Sequence, residues 1–521
     1  MSRVYSVSNL LPQPARTRFP WWWWFLLTAL LPTSAADQPA RHLGLQEAIE
    51  AALLNNRSLQ IERINPEIAR STLLAARGFY DPIFLTDVRW ENATTPAELD
   101  PFTGLQTPAR ETRTDNVTAG VTGFLPTGLS YSLTGGYNYQ EGTRDFAEFE
   151  SYIVEAGIFL QQPLLKNFLI DQPRFVIRVN RGNLTISELG VEFVASSVIN
   201  LTRQGYYDLA YAWEALAVQH ELLATREQFL RGIQRQIEVG SLTLLEEKLA
   251  QAQRSRIATD LISASNLVSL AANNLRTLMG VTATNWADAF HIPTDALTIA
   301  WDTFDQQQSW RTGLTNRADL LQLRAQADNA ELAVKFRRNQ LLPSLDLVGS
   351  YGRQGVSFSQ PFPPISPAAS SSEAFAQLRR GDAPRDLIGV VFSIPLGRRA
   401  ERGEYRASQH LEEQARLFVK QQEELVLREI SDAVHNARSS LERAESARRT
   451  IGFAEQALAA EEQKLRGGAS NIFVVLQLQA DLAAARLAEL EAKRDHNKAV
   501  SQLRHAEGTL LDATRMVVEF D

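Results

Sequence analysis

The chain of 521 residues contains no cysteine. That absence excludes a disulfide-stapled fold, a thiolate metal site, a cysteine nucleophile and thioether lipidation of a mature N-terminus. Surplus basic charge is lacking too: 53 Lys and Arg are mixed with 60 Asp and Glu, for a net charge of −7. Such a balance is not the footprint of a nucleic-acid binder, and no nucleic-acid partner is expected. No run of 18 consecutive apolar residues occurs. A transmembrane helix is therefore not expected, and membrane residence would require strands closed into a barrel. The seven histidines show no metal-ligand spacing. A Walker-type phosphate loop, a His-Glu-x-x-His helix and a Gly-x-Ser-x-Gly elbow are absent as well, so no catalytic residue, metal or cofactor is expected and the chain does not read as an enzyme.

What is present begins with the N-terminus. Arg3, Arg16 and Arg18 precede the apolar run 21–31, and small residues follow up to Ala35-Ala36 before Asp37. A basic region, a short apolar core and a small-x-small site in that order predict a secretory signal cut after Ala36. The apolar run is too short to span a bilayer.

Proline placement divides the rest. No proline occurs in 174–292 or 396–521, and both stretches are rich in Ala, Leu, Glu, Gln and Arg, the strong helix formers. Most others lie in or beside Gly-, Thr-, Ser- and Tyr-rich segments at 82–163 and 343–395. The series helix, β segment, long helix and return helix occurs twice, which predicts an internal duplication. Four matches in the same order support it. Asn56-Arg57 answers Asn316-Arg317, and Tyr80-Asp81-Pro82 answers Leu341-Leu342-Pro343. Stretch 157–164 aligns without gaps on 389–396, and the break Val239-Gly240-Ser241 answers Gly467-Gly468-Ala469.

The expected long helices, 174–238 and 397–466, would each span about 100 Å at ~1.5 Å per residue. Leu209, Leu216, Leu223, Leu230 and Ile237 fall seven apart, as do Ile430, Ala437, Ala444, Ile451, Leu458 and Leu465. Sustained heptads predict coiled-coil packing. Charged positions such as Arg226, Glu227 and Arg231 read as a wetted face, so the helices suit a wall with water beside it. After each glycine break the chain turns back as a shorter helix, near 243–279 and 471–513, with glycine supplying the left-handed cap at the tip.

In 129–139, Leu129, Tyr131, Leu133, Gly135, Tyr137 and Tyr139 alternate with Ser130, Ser132, Thr134, Gly136 and Asn138. Alternation over about ten residues, with tyrosines toward one end, is the signature of an outer-membrane barrel strand. Further strands are expected at 83–90, 117–124, 152–162, 345–353 and 387–394, with external loops at 91–115, 140–151 and 354–386. Four to six strands cannot close a barrel, since such barrels start at eight, so cyclic association is required. The rival reading is a non-pore periplasmic coiled-coil scaffold with β appendages.

At this point the residues resemble the TolC-type outer-membrane efflux family over nearly all of 43–513. The Asn-Arg helix starts, Leu342-Pro343-Ser344-Leu345 at a strand start, Gln162-Pro163-Leu164-Leu165 at a strand end and the two Gly-centred tips carry the resemblance. It implies an α+β membrane protein: a homotrimer whose shared outer-membrane β-barrel continues into a long periplasmic α-helical tunnel. It also implies an exit duct for efflux or type I secretion, a periplasmic adaptor docking at the tips, an inner-membrane pump of RND, ABC or MFS type, and contact with outer-membrane lipid. The resulting division is a signal peptide at 1–36, a first-repeat helix at 37–81, barrel strands and loops at 82–163, and a long helix, tip and return helix at 164–280. An equatorial linker at 281–312 precedes a helix at 313–342, strands at 343–396, a second long helix, tip and return helix at 397–513, and a tail at 514–521.

Two departures stand out. In the family's type member two aspartates after the second tip ring the closed aperture; the matching positions here are Val474 and Gln477, and those of its closing network fall near Ser470 and Leu465. Glu246 and Glu247 at the first tip are therefore the acidic candidates for lining an aperture, the alternative being a solvated helix start. The second departure is an added hairpin at 116–139. It either widens the barrel from 12 to 18 strands per trimer or projects as a flap.

Overall fold

The computed structural model describes residues 41–513 apart from 100, 103, 105, 107, 145–146, 241–242, 287–290, 300–302 and 360–367. The expected signal segment with its cut after Ala36, the tip residue Ser241 and the tail 514–521 lie outside the described residues.

The chain begins with β1 (Arg41–Leu43), α1 (Leu45–Asn55) and α2 (Arg57–Arg77), followed by β2 (Ile83–Thr95), β3 (Arg110–Phe124), β4 (Ser130–Arg144) and β5 (Ala147–Pro163). Helix α3 (Gln172–Glu238) runs 67 residues before α4 (Leu244–Leu278) turns back. Strand β6 (His291–Pro293) leads to the second repeat: α5 (Gln306–Asn316), α6 (Ala318–Gln340), β7 (Ser344–Ser359), α7 (Ser371–Arg380) and β8 (Ala383–Ser393). Helix α8 (Arg399–Arg466) runs 68 residues, and α9 (Ile472–Ala506) and α10 (Leu510–Ala513) complete the fold. The second return helix stops at Ala506 and does not reach 513. Gly508, at φ +72°, breaks it, and the Thr509 amide closes the end on the Arg504 carbonyl.

Six strands form one antiparallel sheet in the order β2-β3-β4-β5-β7-β8. The hairpin at 116–139 belongs to β3 and β4, paired between β2 and β5, so the flap reading is corrected: the hairpin is part of the wall. The strands also run further than the alternation predicts. Most of the expected loop at 140–151 is strand, β4 and β5 pairing out to Arg144 and Ala147, and the loop after β2 begins beyond Thr95. These outer ends carry Glu141, Glu150, Arg113 and Asp115, which read as loop but keep the ladder in water above an apolar band.

Residues paired directly across strands share a face. One face carries Val88 and Trp90, Val117 and Val121, Leu133, Tyr137 and Tyr139, Ile158 and Leu160, Leu347 and Tyr351, and Val390 and Phe392. The other is dominated by Thr114, Thr118, Ser132, Thr134, Asn138, Glu155, Gln161, Asp346 and Ser350. An apolar face with aromatic residues toward its rim fits lipid, and the polar face fits an aqueous lumen.

The helices form a second wall. Nearest the sheet their order is α2-α3-α6-α8, and toward the tips it is α4-α3-α9-α8. The two repeats build equivalent cores where each long helix meets its return helix. Tyr206, Leu209, Ala212, Ala272 and Leu275 pack in the first, and Val426, Ile430, Ala433, Ala437 and Leu503 in the second. The α8 heptad is fully buried at Ile430, Ala437 and Ala444, whereas Ala217 and Ala224 of α3 stay exposed within one chain. Helix α3 also holds an 18-residue stretch apolar enough to cross a membrane, but 39% of it is buried in this helical packing.

Candidate functional site: the conduit wall and its tips

Each tip is built by a glycine in the left-handed region. Gly240 (φ +78°) follows α3 and Gly468 (φ +74°) follows α8, their amides donating to Ile237 (2.9 Å) and Leu465 (3.1 Å). No heavy atom lies within 4 Å of where either Cβ would stand, so backbone conformation alone selects glycine there. The tips are apolar and open: Val239, Leu244, Leu245, Phe473 and Val474 are exposed. Gly467 and Ala469 flank the second turn, and the Ala469 amide donates to Lys464 O at 2.9 Å.

The two acidic aperture candidates are occupied locally. The Thr243 amide donates to Glu246 Oε2 at 2.7 Å, completing a capping box at the start of α4. Glu247 accepts from Gln234 (3.2 Å) and Gln251 (3.0 Å) within the same helical hairpin. On α9, Val474 is exposed and Gln477 Nε2 donates to Asp481 Oδ1 at 2.9 Å. Asp481 was missed by matching positions alone; it is an exposed acid one turn beyond Gln477 on the same helix face. Ser470, expected near the lock, donates to Glu461 of its own hairpin.

The links between hairpins lie along α3 and α9. Lys498 Nζ bridges both Asp208 oxygens at 2.9 Å, with Arg494 Nε 3.8 Å away, and Arg486 reaches Glu221 at 3.3 Å. Arg226 donates through Nη2 to the Leu476 carbonyl at 2.6 Å. The sequence reading placed Arg226 on a wetted face; it is only 5% exposed, and burial lowers its pKa from the ordinary guanidinium value. The signal was there: Ala212, Arg226 and Ile233 are buried in heptad phase, three residues out of step with the leucine seam.

Nearer the sheet the duplicated Asn-Arg motif does two different jobs. Asn56 caps α2, its Oδ1 accepting from the Leu59 amide at 3.2 Å while its Nδ2 holds the Leu278 carbonyl at 2.8 Å. In the second repeat it is Arg317 that works, clamped by Asp319 (2.6 Å) and Glu429 (2.5 Å). Burial pushes the Asp319 carboxyl up, but the Arg317 hydrogen bond and charge outweigh it and hold the group below its usual value. His505 faces Ser196 Oγ at 2.9 Å; burial first, and then the Arg317 charge, lower its pKa. Among the described residues no group of three or more His, Asp or Glu is arranged to hold a metal ion.

A sheet apolar on one face and polar on the other, continuous with roughly 100 Å helices and open at both edges, defines one segment of the wall of a membrane-spanning conduit. The family model for outer membrane efflux proteins matches residues 311–509. The chain is 24% identical to the outer membrane efflux protein BepC of Brucella suis over 391 residues, covering 73% of this chain and 77% of that one. It is 24% identical over 422 residues to the outer membrane protein TolC of Vibrio cholerae, covering 78% and 88%. The solved structure of VceC from Vibrio cholerae matches with a TM-score of 0.61 at 17% identity, over 89% of this chain and 96% of that one. Residues 311–509 thus match the outer membrane efflux protein family, and over 73–78% of its length the chain is similar to outer membrane proteins of that kind.

Proposed function

We propose that three copies of this chain close into the exit duct of a tripartite efflux or type I secretion system, passively conducting what a periplasmic adaptor and an inner-membrane pump deliver. The observation that carries this reading is the alignment of the open edges. Strand β2 and helices α2 and α4 lie on one side of the chain; β8 and α8 lie on the other. Both edges expose apolar side chains: Ile61, Ile64 and Ile68 of α2 and Ile262 of α4 on one, Leu411, Leu417 and Phe418 of α8 on the other. An even strand count makes β8 of one copy antiparallel to β2 of the next, so head-to-tail association closes both walls with one rotation. An unpaired backbone group in lipid costs several kcal/mol, and β8 alone has 11 residues. An open sheet in a bilayer would therefore be unfavourable by tens of kcal/mol, which favours a closed assembly over a pore-free scaffold.

The tips are the proposed adaptor-docking surface, through Val239, Gly240, Ser241, Gly467, Gly468 and Ala469. Glu246 and Glu247 serve as helix-start groups in this reading, and Val474, Gln477 and Asp481 line the aperture. The test is reconstitution. Detergent-purified protein is expected to be trimeric and to insert discrete conducting channels into planar bilayers. A stable monomer in plain buffer with no conductance would favour the scaffold.

A further inference from the structure

Helix α7, in the connection between β7 and β8, packs on the apolar face of the sheet. It is seated by a gap in the wall: a Cβ on Gly355 would lie 1.9 Å from the Ala374 carbonyl oxygen, so only glycine admits the helix so close. The Val356 amide donates to Gln377 Oε1 and the Ser370 amide to Ser357 Oγ, both at 3.0 Å. The Phe375 ring stacks on Tyr137, 6.3 Å between centroids and 10° between planes. Val154 is the cross-strand partner of both Tyr137 and Gly355, and the three share the face of Leu133, Ile158 and Leu347. One step outward come Tyr139 and Tyr152, and then the charged rim at Glu141 and Glu150. The helix thus lies at the height of the tyrosine belt, on the side that faces lipid.

Its outward surface is charged at one end. Arg380 is neutralised by Glu373 (2.8 Å) and Asp382 (2.9 Å). Arg379 and Arg353 are exposed, and neither forms an ion pair among the described residues. The Arg353 guanidinium packs against Gly381, the left-handed residue that ends α7, which places both arginines at the same end of the helix. Arg353 Nε donates to the Tyr351 hydroxyl at 3.4 Å and leaves its two terminal nitrogens outside any ion pair among the described residues. An amphipathic helix with an aromatic ring in the apolar boundary and guanidinium groups beside it matches the interface layer of a bilayer, and guanidinium binds phosphate in a fork.

We propose that α7 is an interfacial strap in the outer leaflet, and that Arg353 and Arg379 hold the phosphate of an outer-leaflet lipid headgroup. The inference rests on the outer-membrane reading of the sheet but not on conduction. A cysteine-free chain permits a direct test by single nitroxide labels in the reconstituted protein. A label at Ser372→Cys is expected to be reached by oxygen and shielded from a water-soluble nickel chelate, like a control at Leu133→Cys. Nickel access equal to that of a lumen-face control at Thr134→Cys would overturn the placement. Phosphate binding is read as lipid phosphorus retained per purified particle. The double variant Arg353→Gln, Arg379→Gln is expected to retain about half the wild-type amount or less, with channel conductance unchanged. Equal retention would overturn the phosphate assignment, and so would displacement of the lipid by inorganic phosphate alone. Loss of conductance in wild type would count against the duct and leave the label result standing.

Discussion

His505 on α9 packs against Ser196 on α3, within reach of the Arg317 charge at the start of α6. Burial and the neighbouring guanidinium lower the imidazole's pKa, with Asp319 and Glu429 opposing more weakly. A base whose folded pKa is depressed leaves the unfolded chain binding more protons below about pH 6.5, so stability is complete above that value and declines as pH falls toward the folded pKa. Each unit of depression corresponds to about 1.4 kcal/mol. Asp319 works lower in the range: its carboxyl is depressed, so its contribution is present above about pH 3.9 and is lost only beneath it. Between pH 7 and pH 5 the histidine should therefore dominate among these groups. Thermal melts of the intact protein are expected to show a midpoint that falls on acidification, and His505→Gln should flatten that fall. An unchanged slope in the variant would remove the histidine from the account.

At the scale of elements, the tips are the simplest case. Gly240 and Gly468 have open space around them, so replacement by alanine adds only the strain of a side chain in the left-handed region, about 1–2 kcal/mol. Gly468→Ala is expected to leave the fold intact and to speed hydrogen exchange over the last turn of α8 and the first turn of α9. Exchange unchanged there would mean that the turn rearranges at no cost. Both tips could be read from sequence because glycine is a local signal, and so could the long helices and the alternating centres of the strands. What could not be read depends on partners distant in sequence. The ends of β3, β4 and β5 look like loop because their charged residues stand in water while their backbones still pair. Arg226 looks wetted because its acceptor, the Leu476 carbonyl, belongs to another helix. For Glu246 the sequence leaves a solvated helix start open beside an aperture role; the capping box with Thr243 is visible only in the structure.

At the scale of the whole molecule, the six strands of the antiparallel sheet bear on a question of fit between the two walls. Strands spaced by about 4.8 Å and tilted by about 40° give a six-strand segment a girth of roughly 38 Å. Four helices at 8–10 Å spacing give roughly 32–40 Å. The two walls therefore match, and three copies would make a barrel of 18 strands with a backbone diameter of about 36 Å above a tunnel of similar width. A two-hairpin chain at the same tilt would give about 24 Å, narrower than the helical wall beneath it. Deleting residues 110–144 tests this directly. Strand β2 runs outward and β5 inward, so joining them through the existing loop keeps every remaining strand antiparallel. The shortened chain is expected to give a particle whose barrel, viewed end-on by electron microscopy, is about a third narrower than wild type, with the helical part unaltered. An unchanged barrel diameter would mean that β3 and β4 do not contribute to the closed wall of the assembled duct.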